Sequence, residues 1–140
     1  MLIRNARAED FKRVRELLLS ENMTTSEFFT EERFKRGLER FGRYHLVEER
    51  DGKVVGFISG FDDGGIFYGY MGRLVVDPGY RNQGIGESLT RACLKQFEEF
   101  GVPIVYAGIG LQNTASERLV QKLGCVDGGY KLIYFETKAK

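Results

Sequence analysis

The hexapeptide Arg-Asn-Gln-Gly-Ile-Gly at residues 81–86 has the composition of an anion-binding loop. Gly84 and Gly86 let the backbone approach a ligand closely, because glycine has no Cβ atom. From Ile85 onwards, apolar residues recur at three- and four-residue steps, which predicts an amphipathic helix. The first amides of a helix lack intrahelical acceptors and favour negative charge, and Arg81 adds a fixed positive charge beside them. The hexapeptide therefore predicts a phosphate or pyrophosphate site.

The loop is preceded by residues 74–76, whose sequence Leu-Val-Val predicts a strand. Pro78 ends that strand because proline has no amide to give to a β-ladder. Two common phosphate motifs do not fit. A P-loop needs Lys-Ser or Lys-Thr after its last glycine, where this chain has Glu87 and Ser88. A dinucleotide fingerprint needs glycine or alanine where this chain has Leu89.

The remaining pattern, R-x-x-G-x-G directly after a strand that ends in Asp-Pro, resembles the acetyl-coenzyme A motif of the GNAT superfamily of N-acyltransferases. The resemblance covers nearly the whole chain, including a second motif at residues 113–124. It implies one α+β domain over residues 1–140, with a mixed sheet of six to seven strands, about four helices and a β-α-β acyl-CoA site. It also implies acetyl-CoA as cofactor. The implied cofactor-binding residues are Leu74, Val75, Val76, Arg81, Asn82, Gln83, Gly84, Ile85, Gly86, Glu87, Asn113 and Ser116.

The second motif departs from the family at one chemically important position. Asn113 and Ser116 match it, and Asn113 would contact the pantetheine or adenosine part of the cofactor. Asparagine also favours capping positions, so a purely local role is the alternative. Val120 stands where the family has the tyrosine that protonates the departing thiolate. The general acid is therefore unknown. Such an acid usually increases the rate by about 10²–10⁴-fold. A thiol with a pKa of about 8.5 is already a fair leaving group, so the lack of an acid would slow the reaction without preventing it.

A base must deprotonate the acceptor ammonium, whose pKa is about 10 like that of lysine. Many relatives place a carboxylate on the strand before the phosphate loop, but residues 68–76 contain none. Asp62 and Asp63 at the preceding turn are the tentative base, with Glu48 and Glu49 as more distant candidates. The alternative for each is an ordinary solvated charge.

By resemblance, residues 24–41 cover the acceptor substrate, and they are expected to be helical in two pieces. The tentative acceptor-binding residues are Phe28, Phe29, Tyr70 and Arg73. The phenylalanines could equally be core residues, because buried aromatic side chains mostly serve packing. Arg73 indicates an acceptor that carries a carboxylate, as an amino acid does. The alternative is that the Arg73 side chain simply faces solvent.

The remaining elements follow from periodicity and turn signals. Gly101 is the expected C-cap of the central helix, and Thr114 with Glu117 forms an expected capping box. His45, the only histidine, is expected on a strand in a structural role. The other expected elements are a strand at residues 1–6, a helix opening at 8–10, strands at 44–49, 53–61, 66–76 and 103–109, and a last strand at 130–137.

The composition bounds the function. The net charge is +1 over 140 residues, which gives no general attraction for nucleic acid. Cys93 and Cys125 have no partner at metal-ligand spacing, so no metal is expected. No long apolar run appears, which predicts a cytoplasmic protein without membrane contact. The leading function is acetyl transfer to a primary amine of a small molecule, amino acid or peptide. The alternative is a weak or inactive acyl-CoA-binding module, and by resemblance the chain forms a homodimer.

Overall fold

The computed structural model describes residues 2–108 and 113–139 of the chain. These residues belong to two compact units, residues 1–107 and residues 108–140. The larger unit holds the sheet, three helices and the glycine loop. The smaller unit holds one helix, followed by a segment without regular secondary structure.

The larger unit is built on a mixed sheet of five strands in the order β1-β2-β3-β4-β5. The first four pair antiparallel, and β5 pairs parallel with β4. The parallel pair is joined by the central helix α3, as the β-α-β prediction required. The strands are β1 (Leu2–Asn5), β2 (Leu46–Arg50), β3 (Lys53–Asp62), β4 (Tyr68–Val76) and β5 (Ile104–Ala107).

The predicted sixth and seventh strands are not present among the described residues. Residues 130–137, expected as the last strand, have no regular secondary structure and belong to no ladder. An extended segment becomes a strand only when a neighbour takes its backbone hydrogen bonds, so periodicity alone misassigned it. The expected strand at 103–109 is confirmed over Ile104–Ala107, and residue 109 lies outside the described residues.

Three helices pack on the sheet of the larger unit: α1 (Phe11–Ser20), α2 (Glu31–Phe41) and α3 (Ile85–Glu99). Thr30 caps α2, with its Oγ1 accepting the Arg33 amide at 3.3 Å. Residues 24–29 form turns, so the first of the two expected helical pieces is absent. Gly101, with φ of 73°, ends α3 as predicted, and the Val102 amide donates to the Phe97 carbonyl.

Two buried clusters fill the faces of the sheet. One lies against α1 and α2 and includes Leu18, Phe34 and Phe57. The other lies against α3 and includes Leu89 and Phe97. A 3₁₀ turn at Gly42–Tyr44 precedes β2, which begins two residues later than predicted. His45 is therefore outside the strand, at the end of that turn.

The smaller unit contains α4 (Thr114–Lys122). Asn113 is its N-cap, with Oδ1 accepting the Ser116 amide at 3.0 Å. The capping box predicted from Thr114 and Glu117 is one residue out of place, because Thr114 is already the first helical residue. Asparagine supplied the better acceptor at the cap.

Candidate active site

The glycine loop ends in a left-handed residue that opens α3. Gly84 has φ of 80° and is the N-cap, and Asn82 has φ of 63°. Glycine and asparagine are the residues that adopt such angles at least cost, which is why the sequence turns here. Among the described residues, no acceptor takes the amides of Gln83, Gly84, Ile85 or Gly86. Four successive donors without acceptors form an anion-binding concavity at a helix N-terminus.

Arg81 lies beside the loop but its guanidinium is directed to the carboxylate of Glu21, just after α1. The two side chains are 47% and 31% exposed. An ion pair with this much solvent contact is screened and contributes little. Arg81 can therefore exchange Glu21 for a phosphate at small cost.

A second arginine, which was not predicted from the sequence, lies on the sheet and hydrogen-bonds to the glycine loop. Arg50 on β2 donates to the side-chain oxygen of Gln83 and, through Nε, to Glu48 Oε2 at 3.0 Å. Glu48 is completely buried, and its Oε1 has no hydrogen-bond partner among the described residues. The only sequence signal was a Glu-x-Arg pair on one strand, whose side chains share a face. A role of Glu48 as the base stays a prediction that this pairing does not support.

The ladder between β4 and β5 ends in the middle of β4. The pairing of β4 with β5 runs from Tyr68–Ile104 to Met71–Ala107. In the described part of the chain, no strand pairs with the β5-facing edge of β4 over residues 72–76. These residues include Leu74, Val75 and Val76 and lead directly towards the loop. An extended ligand can add to such an edge by backbone hydrogen bonds.

A β-bulge interrupts β4 at the point where the edge becomes open. Phe57 pairs with Val75 and Ser59 with Gly72, so two β4 residues stand opposite one β3 residue. One of the two is Arg73, with φ of 50°. A left-handed conformation is uncommon for a long side chain, and bulges often redirect a side chain next to an active site.

The redirected Arg73 side chain lines a cavity of about 260 Å³ between the sheet and residues of α2 and the turn before it. Its guanidinium carbon lies 5.7 Å from the centre of the Phe29 ring. Loss of solvent around the guanidinium lowers the pKa of Arg73, which stays charged at neutral pH. The lining residues are Phe28, Phe29, Arg33, Phe34, His45, Phe57, Ser59 and Arg73.

His45 contributes a neutral imidazole to this cavity. Burial is the main cause that lowers the pKa of His45, and the positive charge of Arg73 lowers it further. The hydrogen bond to the Phe41 carbonyl raises the pKa but does not outweigh these two effects. The Nδ1 to Phe41 oxygen distance is 2.9 Å, which assigns the proton to Nδ1 and leaves Nε2 as an acceptor. Part of the structural role expected of His45 is this bond to α2.

The predicted acceptor residues are only partly brought together. Phe28 and Phe29 both line the cavity, with Phe28 55% exposed and Phe29 buried. Tyr70 stacks on Phe61 at 5.5 Å between ring centres and does not line the cavity. Its role in acceptor binding stays a prediction.

The two carboxylates predicted as the base have other contacts. Asp62 Oδ2 accepts the Tyr44 hydroxyl at 2.7 Å. Asp63 accepts the amides of Ile66, Phe67 and Tyr68 at 2.9–3.1 Å. Slight desolvation raises the pKa of Asp63, but the three amides outweigh it and lower the pKa overall. Neither residue lines the cavity, so their role as a base stays a prediction that these contacts do not support.

The second motif lies in the smaller unit. Asn113 Oδ1 is engaged in capping α4, which leaves its Nδ2 group as a donor. Ser116 and Val120 are half-buried on that helix. Within residues 2–108 and 113–139, no group of acidic, histidine or cysteine side chains could hold a metal ion. None of the helices described there is long and apolar enough to cross a membrane.

In the described part of the chain, a strand edge without a partner leads to a helix N-terminus whose first amides have no acceptor, an arrangement that suits an anion carried on an extended arm. The model of the acetyltransferase (GNAT) family matches residues 6–125, and the chain belongs to that family.

The individual relatives share about a quarter to a third of the aligned residues with this chain. The chain is 27% identical over 136 residues to a Bacillus subtilis (strain 168) protein named as a ribosomal protein bS18 alanine N-acetyltransferase, covering 95% of this chain and 85% of the relative. It is 34% identical over 85 residues to the L-amino acid N-acyltransferase MnaT of Escherichia coli (strain K12), covering 58% of this chain and about half (49%) of MnaT.

Among solved structures, the fold resembles diaminobutyrate acetyltransferase EctA from Paenibacillus lautus, determined with L-2,4-diaminobutyric acid and coenzyme A. The TM-score is 0.76 at 23% identity, over 87% of this chain and 73% of that chain. This likeness confirms the predicted fold class.

Proposed function

We propose that the protein is an acetyl-CoA-dependent N-acetyltransferase that moves an acetyl group to a primary amine. The observation that carries this proposal is the run of four amides at residues 83–86, which have no acceptor among the described residues and follow an edge of β4 that no described strand pairs with. That run suits a pyrophosphate, and the open edge suits an extended amide-containing arm. Membership of the acetyltransferase family supports the same reaction.

In this proposal, the amine attacks the thioester carbonyl directly within a ternary complex. The carbon–nitrogen bond forms, the carbon–sulfur bond breaks, and the thiolate of coenzyme A leaves. The amides near Val75 and Val76 would bind the pantetheine arm and the thioester oxygen, an interaction worth about 2.7–4 kcal/mol in other enzymes. Arg81 and the loop amides would hold the pyrophosphate, and Asn113 and Ser116 would contact the cofactor.

Proton transfer is the step of the proposed reaction for which the fewest side chains are assigned. The ammonium must lose a proton before attack, and the thiolate gains one after it leaves. Val120 cannot supply that proton. Because a thiol is a fair leaving group, we expect slower turnover rather than none. Among the described lining residues, His45 offers an imidazole nitrogen, Nε2, that could take the ammonium proton.

The test is release of free coenzyme A from acetyl-CoA in the presence of a panel of amines, amino acids and short peptides. We expect release with at least one amine and mass-spectrometric detection of the acetylated product. Tight binding of coenzyme A with no release for any acceptor would instead support a binding module. A cytoplasmic location and a homodimer remain proposals, the second testable by light scattering.

A further inference from the structure

The cavity beside β4 carries positive charge without a protein counterion. Arg73 and Arg33 are exposed at its rim, and none of the lining residues is acidic. Among the described residues, no carboxylate lies within 4 Å of either guanidinium, although Arg36 one helical turn away pairs with Glu32 at 3.0 Å. His45, the third ionisable lining residue, is neutral at pH 7. An anion in the cavity would meet two cations and no repelling charge.

The backbone at Arg73 is held in an unfavourable conformation that aims the side chain at this cavity. A long residue at φ of 50° is strained, and such strain persists where the surrounding structure demands it. At this position the structure that holds the conformation is the bulge, in which Arg73 and Leu74 stand opposite Ile58. Arg73 also lies two residues before Val75, near whose amide the thioester arm is placed in the proposed function. A group bound by Arg73 would therefore lie close to the reacting carbonyl.

The floor of the cavity is apolar. Phe29, Phe34 and Phe57 are buried. The Phe34 ring contacts the other two, with ring centres 5.7 Å from Phe29 and 6.3 Å from Phe57. The volume of about 260 Å³ is slightly below the usual range for small-molecule sites, which begins at about 300 Å³. This size suits one apolar side chain rather than a stretch of peptide.

We propose, on the basis of the N-acetyltransferase function above, that Arg73 determines the acceptor class, namely free α-amino acids whose carboxylate binds Arg73 and whose apolar side chain enters the phenylalanine-lined cavity. A guanidinium offers two parallel donors to a carboxylate, and Arg33 adds charge from α2. The N-terminus of a peptide would place a neutral amide where the carboxylate belongs. Its turnover is therefore slower.

The experiment compares L-phenylalanine, L-leucine and L-methionine with their carboxamides, which keep the amine and side chain but lose the negative charge. Release of coenzyme A gives kcat/KM for each. We expect the free acids to exceed their amides by about 10- to 100-fold, mainly through KM, as loss of a charged hydrogen bond would cause.

The variant Arg73→Asn removes the cation and tolerates the left-handed backbone. It should lower kcat/KM for the acids by about 10- to 100-fold and for the amides much less, while Arg73→Lys restores part of the loss. Arg36→Asn, on the same helix as Arg33 but outside the cavity, is the matched control and should change neither. Thermal unfolding confirms that each variant is folded.

Equal rates for acids and amides, faster turnover of peptides, or an equal loss for both substrates in Arg73→Asn would overturn the proposal. If no amine releases coenzyme A, the proposed function fails separately. Calorimetric binding of L-phenylalanine and its amide, with coenzyme A present, then decides the role of Arg73 alone. Binding of the acid that is absent or insensitive to Arg73→Asn also overturns it.

Discussion

Arg50 on β2 and Gln83 in the glycine loop are joined by a hydrogen bond between guanidinium and side-chain oxygen. The same guanidinium contacts the buried carboxylate of Glu48 at 3.0 Å. One cation therefore both neutralises a charge inside the sheet–helix core and steadies the loop whose amides are free.

Removing Arg50 is expected to destabilise the fold because it leaves Glu48 as a buried, uncompensated charge. Arg50→Ala should lower the free energy of unfolding by about 3–5 kcal/mol. Adding Glu48→Gln should recover much of that loss, since no charge is then left buried. Urea unfolding of the two variants measures the difference. A double variant no more stable than Arg50→Ala would contradict this account.

Arg81→Ala should weaken coenzyme A binding by about 10- to 100-fold, the loss expected when a charged hydrogen bond is removed. Calorimetry at fixed ionic strength measures it. Glu21→Gln should leave affinity equal or higher, because it releases Arg81 from its ion pair. Arg36→Ala, which breaks a surface pair on α2, is the control. Unchanged affinity in Arg81→Ala would refute the assignment of the loop.

Gly56 on β3 is one of the positions where the sheet approaches α3 closely. A Cβ atom there would lie 2.8 Å from Leu89 Cδ1 and 2.9 Å from Ile85 Cγ2. Gly56→Ala should therefore cost about 1–3 kcal/mol by overpacking. Gly42→Ala has open space and a helical φ of −54°, so it should change stability by less than about 1 kcal/mol. Equal melting temperatures for the two variants would exclude this packing argument.

The two cysteines should differ strongly in reactivity. Burial raises the pKa of Cys93 to about 12, so almost no thiolate exists at pH 8. Cys125 is exposed. Iodoacetamide should modify one thiol per folded chain and two in urea, as mass spectrometry would count. Cys125→Ser should abolish the native labelling, and rapid native labelling of Cys93 would show that α3 opens readily.

Asp10 should make stability depend on pH below about 5. Burial raises its pKa, but the two hydrogen bonds from Arg4, at 2.8 and 2.9 Å, and the Arg7 amide lower it overall. Because the folded pKa lies below the unfolded value of about 3.9, the contribution is present above that value and lost as pH falls through the folded pKa.

Asp10→Asn should therefore destabilise the protein at pH 7 and much less at pH 2.5. Urea unfolding at the two pH values measures the gap between the variant and the unmodified chain. The exposed Glu9→Gln is the control and should have a small effect at both. A gap that does not change with pH would assign the loss to packing instead.

The sequence by itself determined the parts that depend on local chemistry. The glycine loop, the amphipathic helix behind it, the C-cap at Gly101 and the β-α-β order follow from residue types and their spacing. The acetyltransferase family could also be read from the loop and the second motif. Each of these depends on neighbours within a few residues along the chain.

Only the tertiary structure decided which distant residues meet. The strand expected at 130–137 needs a ladder partner, and the role of Glu48 depends on Arg50 and on burial beneath α3. Arg73 looked like either an acceptor contact or a solvent-facing charge until the bulge opposite Ile58 turned it towards the phenylalanines. Hydrogen-bond pairing, burial and counterion placement are properties of the folded whole, because they join groups that the sequence holds tens of residues apart.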